Sequence, residues 1–263
     1  MAREWDSAAY HRLSDPQFGW ALKVLDRLDA LNLPDHAHIL DAGCGTGRVT
    51  AELLRKFPQC RVTAVDASEN MVRQAKLTLE HFGDRVQIEK RDLLEIACSN
   101  AFDLVFSTAV FHWIKDHDRL FAVLLHALKP GGFMAAQCGG GPNLKKVRDR
   151  AQKLIELDPF RKYFEDWQKV WEYPGPELTA ARLRRAGFED VITALEAAPV
   201  TFSEAEQYHE FLRTVILHPY LERLPEPLKS ELINEMVRQS AQEQPPFVLD
   251  YWRLNMRAHK ALH

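Results

Sequence analysis

Apolar runs alternate with helical stripes over residues 37 to 137. Short runs rich in apolar and β-branched residues are typical of buried strands, and apolar residues spaced three or four apart are typical of helices. The predicted strands cover residues 37–42, 61–66, 85–89, 102–107 and 132–137. Apolar residues recur at helical spacing after each of the first two strands. They are Val49, Leu53, Leu54 and Phe57 after the first strand, and Met71, Ala75 and Leu79 after the second. This alternation predicts βα units that build a parallel sheet.

A first insertion with a helical pattern begins after the glycines at 139–141. An apolar stripe runs to Ile155, and aromatic residues at helical spacing follow as far as Trp171. This spacing favours packing of the aromatic rings in a core over contact with a ligand. A helix is then predicted over 177–186, because Gly187 is a typical helix stop, and a strand is predicted over 188–195.

A second insertion begins with Ser203-Glu204-Ala205-Glu206, a capping-box pattern. The residues on its single apolar face are Tyr208, Phe211, Leu212, Val215 and Ile216. A further helix is predicted over 226–240. Apolar and polar residues then alternate from Trp252 to Ala258, and this period of two predicts a half-buried last strand.

Composition and charge narrow the class of protein. The chain has 263 residues, of which 46% are hydrophobic and 27% charged, as expected for a globular protein. No apolar run is long enough to span a bilayer, and the first residues lack the apolar core of a signal peptide, so we expect a cytoplasmic protein that does not bind a membrane. A net charge of −3 argues against a broad nucleic-acid-binding surface. These features favour a small-molecule partner.

The four cysteines do not form a metal or redox motif. They stand at positions 44, 60, 98 and 138, never two or three residues apart. Zinc knuckles and redox pairs need that short spacing, so we expect reduced thiols and no metal.

Three alternate glycines follow the first predicted strand in Ile39-Leu40-Asp41-Ala42-Gly43-Cys44-Gly45-Thr46-Gly47. Glycine has no Cβ and adopts positive φ freely, so a loop of this kind lets a ligand approach the backbone. Asp66 ends the second strand, where a carboxylate can accept both hydroxyls of a ribose. Asp92 follows the third strand, where it can meet an adenine amino group or cap a turn.

The position of the glycines distinguishes between nucleotide cofactors. The dinucleotide fingerprint requires a third glycine where Arg48 stands, so a nicotinamide cofactor is disfavoured. A cofactor without phosphates, which carries a sulfonium and an amino-acid tail, fits the more open glycine loop. S-adenosylmethionine has this chemistry.

The chain resembles the class I S-adenosylmethionine-dependent methyltransferases in four motifs. These are the glycine loop, Val65-Asp66, Arg91-Asp92 and Leu128-Lys129-Pro130-Gly131-Gly132. The resemblance is continuous over residues 37–137. It implies an α/β fold with a doubly wound, Rossmann-like sheet of seven strands. The last strand would be antiparallel, and helical cap insertions would lie over the C-terminal edge.

A narrower resemblance points to the trans-aconitate methyltransferase group. It rests on Trp5-Asp6, Tyr10, the segment Phe111-His112-Trp113-Ile114-Lys115-Asp116-His117 and the two insertions. The implied domains are lid helices over 1–36, a cofactor domain over 37–137, 175–200 and 246–263, and caps over 138–174 and 201–245. The resemblance implies methylation of a small carboxylic acid, with S-adenosylhomocysteine as the second product. A related enzyme acts on an acid bound to a carrier protein.

The same resemblance suggests the residues of the site. Those expected to contact the cofactor are Asp41, Gly43, Cys44, Gly45, Gly47, Asp66, Ala67, Met71, Asp92, Leu93 and Thr108, with Trp5 and Tyr10 from the lid. Those expected to contact the substrate are His112 and Trp113. The residues of the second insertion add Arg213 and Tyr220, since an arginine can bind a carboxylate through two hydrogen bonds, although a solvated helix face would show the same pattern.

His112 and Trp113 are the candidate catalytic residues. A neutral imidazole can act as a base, but a carboxylate is already deprotonated, so His112 would orient the acid rather than take its proton. An indole face can attract the sulfonium, or Trp113 can simply pack. The alternatives are methylation of a nitrogen or a carbon, a noncatalytic S-adenosylmethionine-binding module and, third, a nicotinamide dehydrogenase. We expect a monomer or a weak dimer.

Overall fold

The computed structural model describes Glu4, Ser7 and residues 14–262. The predicted lid residues Trp5 and Tyr10 lie outside the described residues. The chain forms two compact units. One contains Met1–Gly141, Trp171–Glu196 and Leu254–His263, and the other contains Pro142–Val170 and Ala197–Arg253. The lid and cap roles assigned to segments of the chain stay predictions.

Seven strands form one mixed sheet in the order β3-β2-β1-β4-β5-β9-β6. The strands are β1 His38–Ala42, β2 Arg61–Asp66, β3 Val86–Lys90, β4 Phe102–Thr108, β5 Leu128–Gly139, β6 Phe188–Ala197, β7 Val200–Thr201, β8 Val248–Leu249 and β9 Trp252–Lys260. Strands β1 to β5 pair in parallel. The last strand, β9, lies between β5 and β6 and is antiparallel. In the second unit, β7 and β8 form a short antiparallel pair. The predicted fold class is confirmed.

Helices connect and cover these strands. They are α1 Asp15–Asp26, α2 Arg48–Lys56, α3 Glu69–Leu79, α4 His117–Ala127, α5 Lys145–Ile155, α6 Pro176–Ala186, α7 Ala205–Phe211, α8 His218–Leu221 and α9 Glu226–Ser240. Among the described residues, none of these helices has the length and the apolar composition needed to cross a bilayer.

The core of the first unit has two layers, one on each face of the sheet. Neighbouring residues of a strand point to opposite faces, so Ile39 packs in one layer and Leu40 in the other. In β4, Leu104 and Phe106 join the layer of Ile39, whereas Val105 joins that of Leu40. Because helices cover both faces, the central strands β1 and β4 carry buried apolar residues on both of their faces.

Two local predictions are wrong. Strand β5 begins at Leu128 rather than at 132, and its pairing with β4 shifts register between Phe102 and Leu104. Helix α7 has Glu204 as its N-cap with no side-chain capping bond, so Ser203 does not begin a capping box. The aromatic segment buries Phe160 and Phe164, in line with the predicted packing, while its backbone forms only the short 3-10 turn Arg161–Tyr163 before residues 164–175 become irregular.

Candidate functional site

The loop between β1 and α2 is shaped by its three glycines. Gly43, Gly45 and Gly47 all have positive φ, at 90°, 54° and 81°. A Cβ on Gly43 would lie 2.2 Å from a methyl carbon of Val110, so the loop after β1 touches the segment after β4. A Cβ on Gly45 would have no heavy atom within 4 Å. The backbone at Gly45 therefore borders open space.

Asp66 fixes this loop from the end of β2. Its Oδ2 accepts the amide of Gly45 at 2.9 Å, and its Oδ1 accepts the amide of Ser68 at 2.9 Å. Burial raises the pKa of Asp66, and the amides of Ser68, Gly45 and Ala67 act against this rise. The Asp66 carboxylate thus lies beside the open side of the glycine loop, which is where a residue that binds a ribose is expected.

A second carboxyl group, Asp41, is buried in β1 with 2% of its surface exposed. Thr50 donates its hydroxyl to Asp41 Oδ2 at 2.6 Å. The pKa of Asp41 is raised to about 7, mainly by burial; the charge of Asp66 adds to the rise and the hydrogen bond from Thr50 opposes it. Cys44 is buried in the same loop, and burial raises the pKa of its thiol well above the usual value, so the thiol is neutral.

The N-terminus of α3 is closed by a residue that sequence analysis missed. Glu4 accepts the Ser68 hydroxyl at 2.9 Å and the amides of Glu69 and Asn70 at 3.1 Å. Burial acts to raise the pKa of Glu4, but these amides and the hydroxyl hold it below its usual value. Ser68 also accepts the amide of Met71, whose side chain is buried. Glu4 therefore caps the helix that begins beside Asp66.

Asp92 and Leu93 follow β3. Oδ1 of Asp92 accepts the amide of Leu94 at 2.9 Å, so the carboxylate caps the short turn Leu93–Glu95, as one interpretation of the sequence proposed. Leu93 is 5% exposed and belongs to a core layer. Contact of these residues with adenine stays a prediction.

The end of β4 lies at the point where the strand order reverses. Because β1 and β4 are neighbours in the sheet, a crevice is expected between the segments that follow them. Thr108 ends β4 and pairs in register with Gln137 of β5. The next residue, Ala109, has a φ of 61° and donates its amide to the carbonyl of Gln137 at 2.8 Å. A positive φ at a residue with a Cβ is a strained conformation that the surroundings must hold.

His112 lies in the turn Phe111–Trp113, which follows β4, and is 8% exposed. Gly139, at the end of β5, donates its amide to Nδ1 of His112 at 3.3 Å. An acceptor nitrogen holds no proton, so the proton of the neutral ring lies on Nε2. His112 is thereby fixed as a hydrogen-bond donor at Nε2.

Three half-buried aromatic rings accompany His112. The Tyr173 ring stacks on the imidazole at 5.6 Å and 22°, and the Trp113 ring lies 5.3 Å from it. Trp171 lies 5.8 Å from Trp113 and stacks with Tyr173 at 6.4 Å. The sequence pointed to Trp113, placed Trp171 in a packing role and missed Tyr173, because nothing local links residues so far apart.

The two predicted acid ligands in the second unit have other partners. Arg213 makes two hydrogen bonds of 3.1 Å to Glu210. Tyr220 is 3% exposed, and its ring lies 4.8 Å from that of Trp167. Burial raises the pKa of Tyr220 to about 12, which keeps its hydroxyl protonated. Contact of Arg213 or Tyr220 with a substrate stays a prediction.

The glycine loop of the first unit has room for a ligand beside a carboxylate. The open space at Gly45 admits a ligand against the backbone, and the Asp66 carboxylate borders it. Side chains at Gly43 and Gly47 would collide with Val110 and Leu79 instead, so those two glycines serve the loop. Within residues 14–262 and at Glu4 and Ser7, no group of three histidine, cysteine, aspartate or glutamate residues is placed to hold a metal ion.

Sequence comparisons identify relatives along most of the chain. A family model described as a methyltransferase domain matches residues 39–132. The chain is 38% identical over 228 residues to the trans-aconitate 2-methyltransferase of Azoarcus sp. (strain BH72), which covers 84% of this chain and 83% of the relative. It is 31% identical over 226 residues to the trans-aconitate 2-methyltransferase of Deinococcus radiodurans, with the same coverage of 84% and 83%.

Solved structures share the fold. Phosphoethanolamine N-methyltransferase 2 of Haemonchus contortus, in complex with phosphomonomethylethanolamine and S-adenosylhomocysteine, matches with a TM-score of 0.63 and 22% identity. That match covers 97% of this chain, which spans 57% of the other protein. The YcgJ protein of Bacillus subtilis matches with a TM-score of 0.60 and 14% identity, over 90% of this chain and 97% of that protein.

Proposed function

The chain belongs to the S-adenosylmethionine-dependent methyltransferases, in the group that includes the trans-aconitate 2-methyltransferases, and on this premise we propose that it methylates a carboxylate of a small acid. The products would be a methyl ester and S-adenosylhomocysteine. Trans-aconitate and similar acids are the first candidate substrates, because the relatives carry that name.

The cofactor would be held by the glycine loop and by the carboxylate that ends β2. When bound, S-adenosylmethionine supplies a methyl group on a sulfonium. Asp66 would accept the ribose hydroxyls, and the open backbone at Gly45 would let the cofactor approach. The remaining residues that we propose around the cofactor are Asp41, Gly43, Cys44, Gly47, Ala67, Met71, Asp92, Leu93 and Thr108, with Trp5 and Tyr10.

The hydrogen bond from Gly139 to His112 is the observation on which we base the choice of a carboxylate as the methyl acceptor. It keeps Nδ1 without a proton and leaves the proton on Nε2, so the ring donates there and does not take a proton. A nitrogen or carbon acceptor must lose a proton during methylation, whereas a carboxylate attacks without a base. His112 would therefore donate to one carboxylate oxygen and aim the other, with Trp113 beside it.

Titration with S-adenosylmethionine, followed by transfer of a labelled methyl group into a panel of acids and amines, tests this function. We expect binding of the cofactor and label only in acids, with kcat constant within about twofold between pH 6.5 and 8.5 at saturating cofactor. His112→Gln, which keeps a donor but no basic nitrogen, should retain most of kcat. His112→Phe should raise the KM of the acid about tenfold or more, since a hydrogen bond to a charged group is lost.

Other outcomes would overturn the proposal in distinct ways. Label in amines, with a rate that rises near neutral pH and is lost in His112→Gln, would establish a base and a different acceptor. Binding without transfer to any acceptor would indicate a noncatalytic module. The cytoplasmic location and the monomeric or weakly dimeric state stay predictions.

A further inference from the structure

We propose that His117 is a positioning residue for the turn Phe111–Trp113, held in place by Arg182 and acting through the carbonyl of Phe111. The inference rests on the role proposed above for His112, which lies in that turn.

Both ring nitrogens of His117 have a partner. The side chain is buried, with 2% exposed, at the first residue of α4. Its Nε2 lies 2.9 Å from the carbonyl oxygen of Phe111, which can only accept, so Nε2 carries the proton. Arg182 Nη1 lies 3.4 Å from Nδ1 and can only donate, so Nδ1 is the acceptor. The two bonds select one neutral tautomer and one orientation of the ring.

Arg182 connects this bond to a second attachment of the same turn. It lies on α6 and donates to Glu172 Oε1 at 3.1 Å, while its Nε is 4.0 Å from Asp118. The amide of Glu172 donates to the carbonyl of His112 at 2.9 Å. The carbonyls of Phe111 and His112 thus accept hydrogen bonds from His117 and Glu172. Both of these residues are in turn hydrogen-bonded to the Arg182 guanidinium.

Burial keeps the ring of His117 neutral. Burial lowers the pKa of His117 and Arg182 lowers it further, whereas the Phe111 carbonyl, Glu172 and Asp118 act to raise it. A proton on Nδ1 would remove the acceptor of Arg182 and place two positive charges together. The arrangement therefore needs the neutral ring, and a side chain without both a donor and an acceptor cannot replace it.

The consequence of this arrangement is the placement of the His112 ring. Besides the contacts of its ring with Trp113 and Tyr173, His112 is held through its carbonyl by Glu172 and through Nδ1 by Gly139. The carbonyl of Phe111 also accepts the amide of Ile114 at 2.9 Å, so without His117 the turn keeps this local backbone bond but loses its attachment to α4 and can shift while Gly139 stays in the sheet. Reactions that depend on aligned groups lose rate steeply with small displacements.

Variants of His117 separate positioning from general stability. His117→Gln keeps one donor and one acceptor, whereas His117→Leu has neither. We expect His117→Leu to raise the KM of the acid about tenfold with little change in the affinity for S-adenosylmethionine, and His117→Gln to recover most of that loss. Arg185→Ala is the matched control, because Arg185 lies on the same helix but pairs only with exposed Asp118.

A second measurement does not depend on turnover. Nitrogen-15 NMR of histidine-labelled, cofactor-free protein reports the tautomer of each ring, and the His112 signals are assigned by their loss in His112→Gln. We expect a fixed Nε2–H tautomer at His112 in the wild type and in Arg185→Ala, and a mixture of tautomers or a shifted signal in His117→Leu. An unchanged His112 signal and an unchanged KM in folded His117→Leu would overturn the proposal.

If His117→Leu does not fold, Arg182→Met replaces it, since that variant removes the donor to Nδ1 and to Glu172 while keeping the apolar stem. The same shift of the His112 signal is then expected, and its absence would overturn the proposal. Should the wild type methylate no acid at all, the NMR result would still decide whether His117 positions the turn, so the two proposals fail separately.

Discussion

Asp66 is the residue on which the proposed mode of cofactor binding depends most directly. It accepts the amides of Gly45 and Ser68, which orients both carboxylate oxygens at the end of β2. Asp66→Ala should weaken binding of S-adenosylmethionine by more than about tenfold, because charge-assisted bonds of roughly 1.5–3 kcal/mol are lost. Isothermal titration measures this change, with the exposed carboxylate variant Asp29→Ala as control. Equal affinities for the two variants would exclude the ribose role.

Asp41 should make the stability of the folded protein depend on pH. Burial raises its pKa to about 7 from an ordinary 3.8, so between these values the folded chain holds a proton that the unfolded chain has released. Stability should therefore fall as pH rises through this window and change no further above it. Urea unfolding should show a loss of roughly 2–3 kcal/mol between pH 5 and 7 that Asp41→Asn lacks. Parallel pH profiles of the two proteins would contradict the assignment.

At the scale of elements, the loop between β1 and α2 contains a glycine that the fold requires, Gly43, and one beside which we propose that the cofactor binds, Gly45. Gly43 has a φ of 90° and no room for a Cβ beside Val110, so Gly43→Ala should destabilise the protein by about 1–3 kcal/mol or more. Gly45 also has positive φ, but the space beside it is open.

Gly45→Ala is accordingly the matched variant. It should cost only about 1–2 kcal/mol of backbone strain, yet weaken S-adenosylmethionine binding strongly, because its methyl group enters the space proposed for the cofactor. Thermal unfolding and titration, run on both variants, separate the two effects. A Gly45→Ala protein with wild-type affinity would place the cofactor elsewhere.

At the scale of the whole molecule, the first unit is tied together by a polar network between distant segments. Asn255 of β9 accepts from Arg27 Nη1 at 2.6 Å and from Gln137 Nε2 at 2.8 Å. Its own amide donates to Glu196 at 3.4 Å. Gln137 is 2% exposed, whereas Arg27 is half exposed, so the same asparagine joins a buried and a solvated partner.

Burial should decide which of these bonds matters. Asn255→Ala removes an acceptor from buried Gln137 and should lower the free energy of unfolding by about 1–3 kcal/mol. Arg27→Ala loses only solvated contacts and should cost less than about 1 kcal/mol. Urea titrations at pH 7 compare the two variants. Equal costs would mean that the network contributes through packing rather than through its buried hydrogen bonds.

Much of this architecture could be predicted from the sequence because its causes are local. Alternating strand and helix patterns predicted β1 to β4 within one or two residues, and Gly187 predicted the end of α6. The three glycines indicated a loop with positive φ, since no other residue adopts it without strain. In the aromatic segment at 160–171 the spacing favoured packing, and Phe160 and Phe164 are buried, but spacing alone did not decide the backbone conformation of so short a segment.

Only the tertiary structure decided which hydrogen bonds the groups at the strand ends form. The sequence by itself determined the doubly wound sheet, the glycine loop and the carboxylate of Asp66. It did not determine the proton position on His112, which depends on Gly139, 27 residues away. Nor did it determine the bond between His117 and Arg182, which joins residues 65 apart. A hydrogen bond between such residues exists only once the sheet has brought them together, because no local preference encodes that contact.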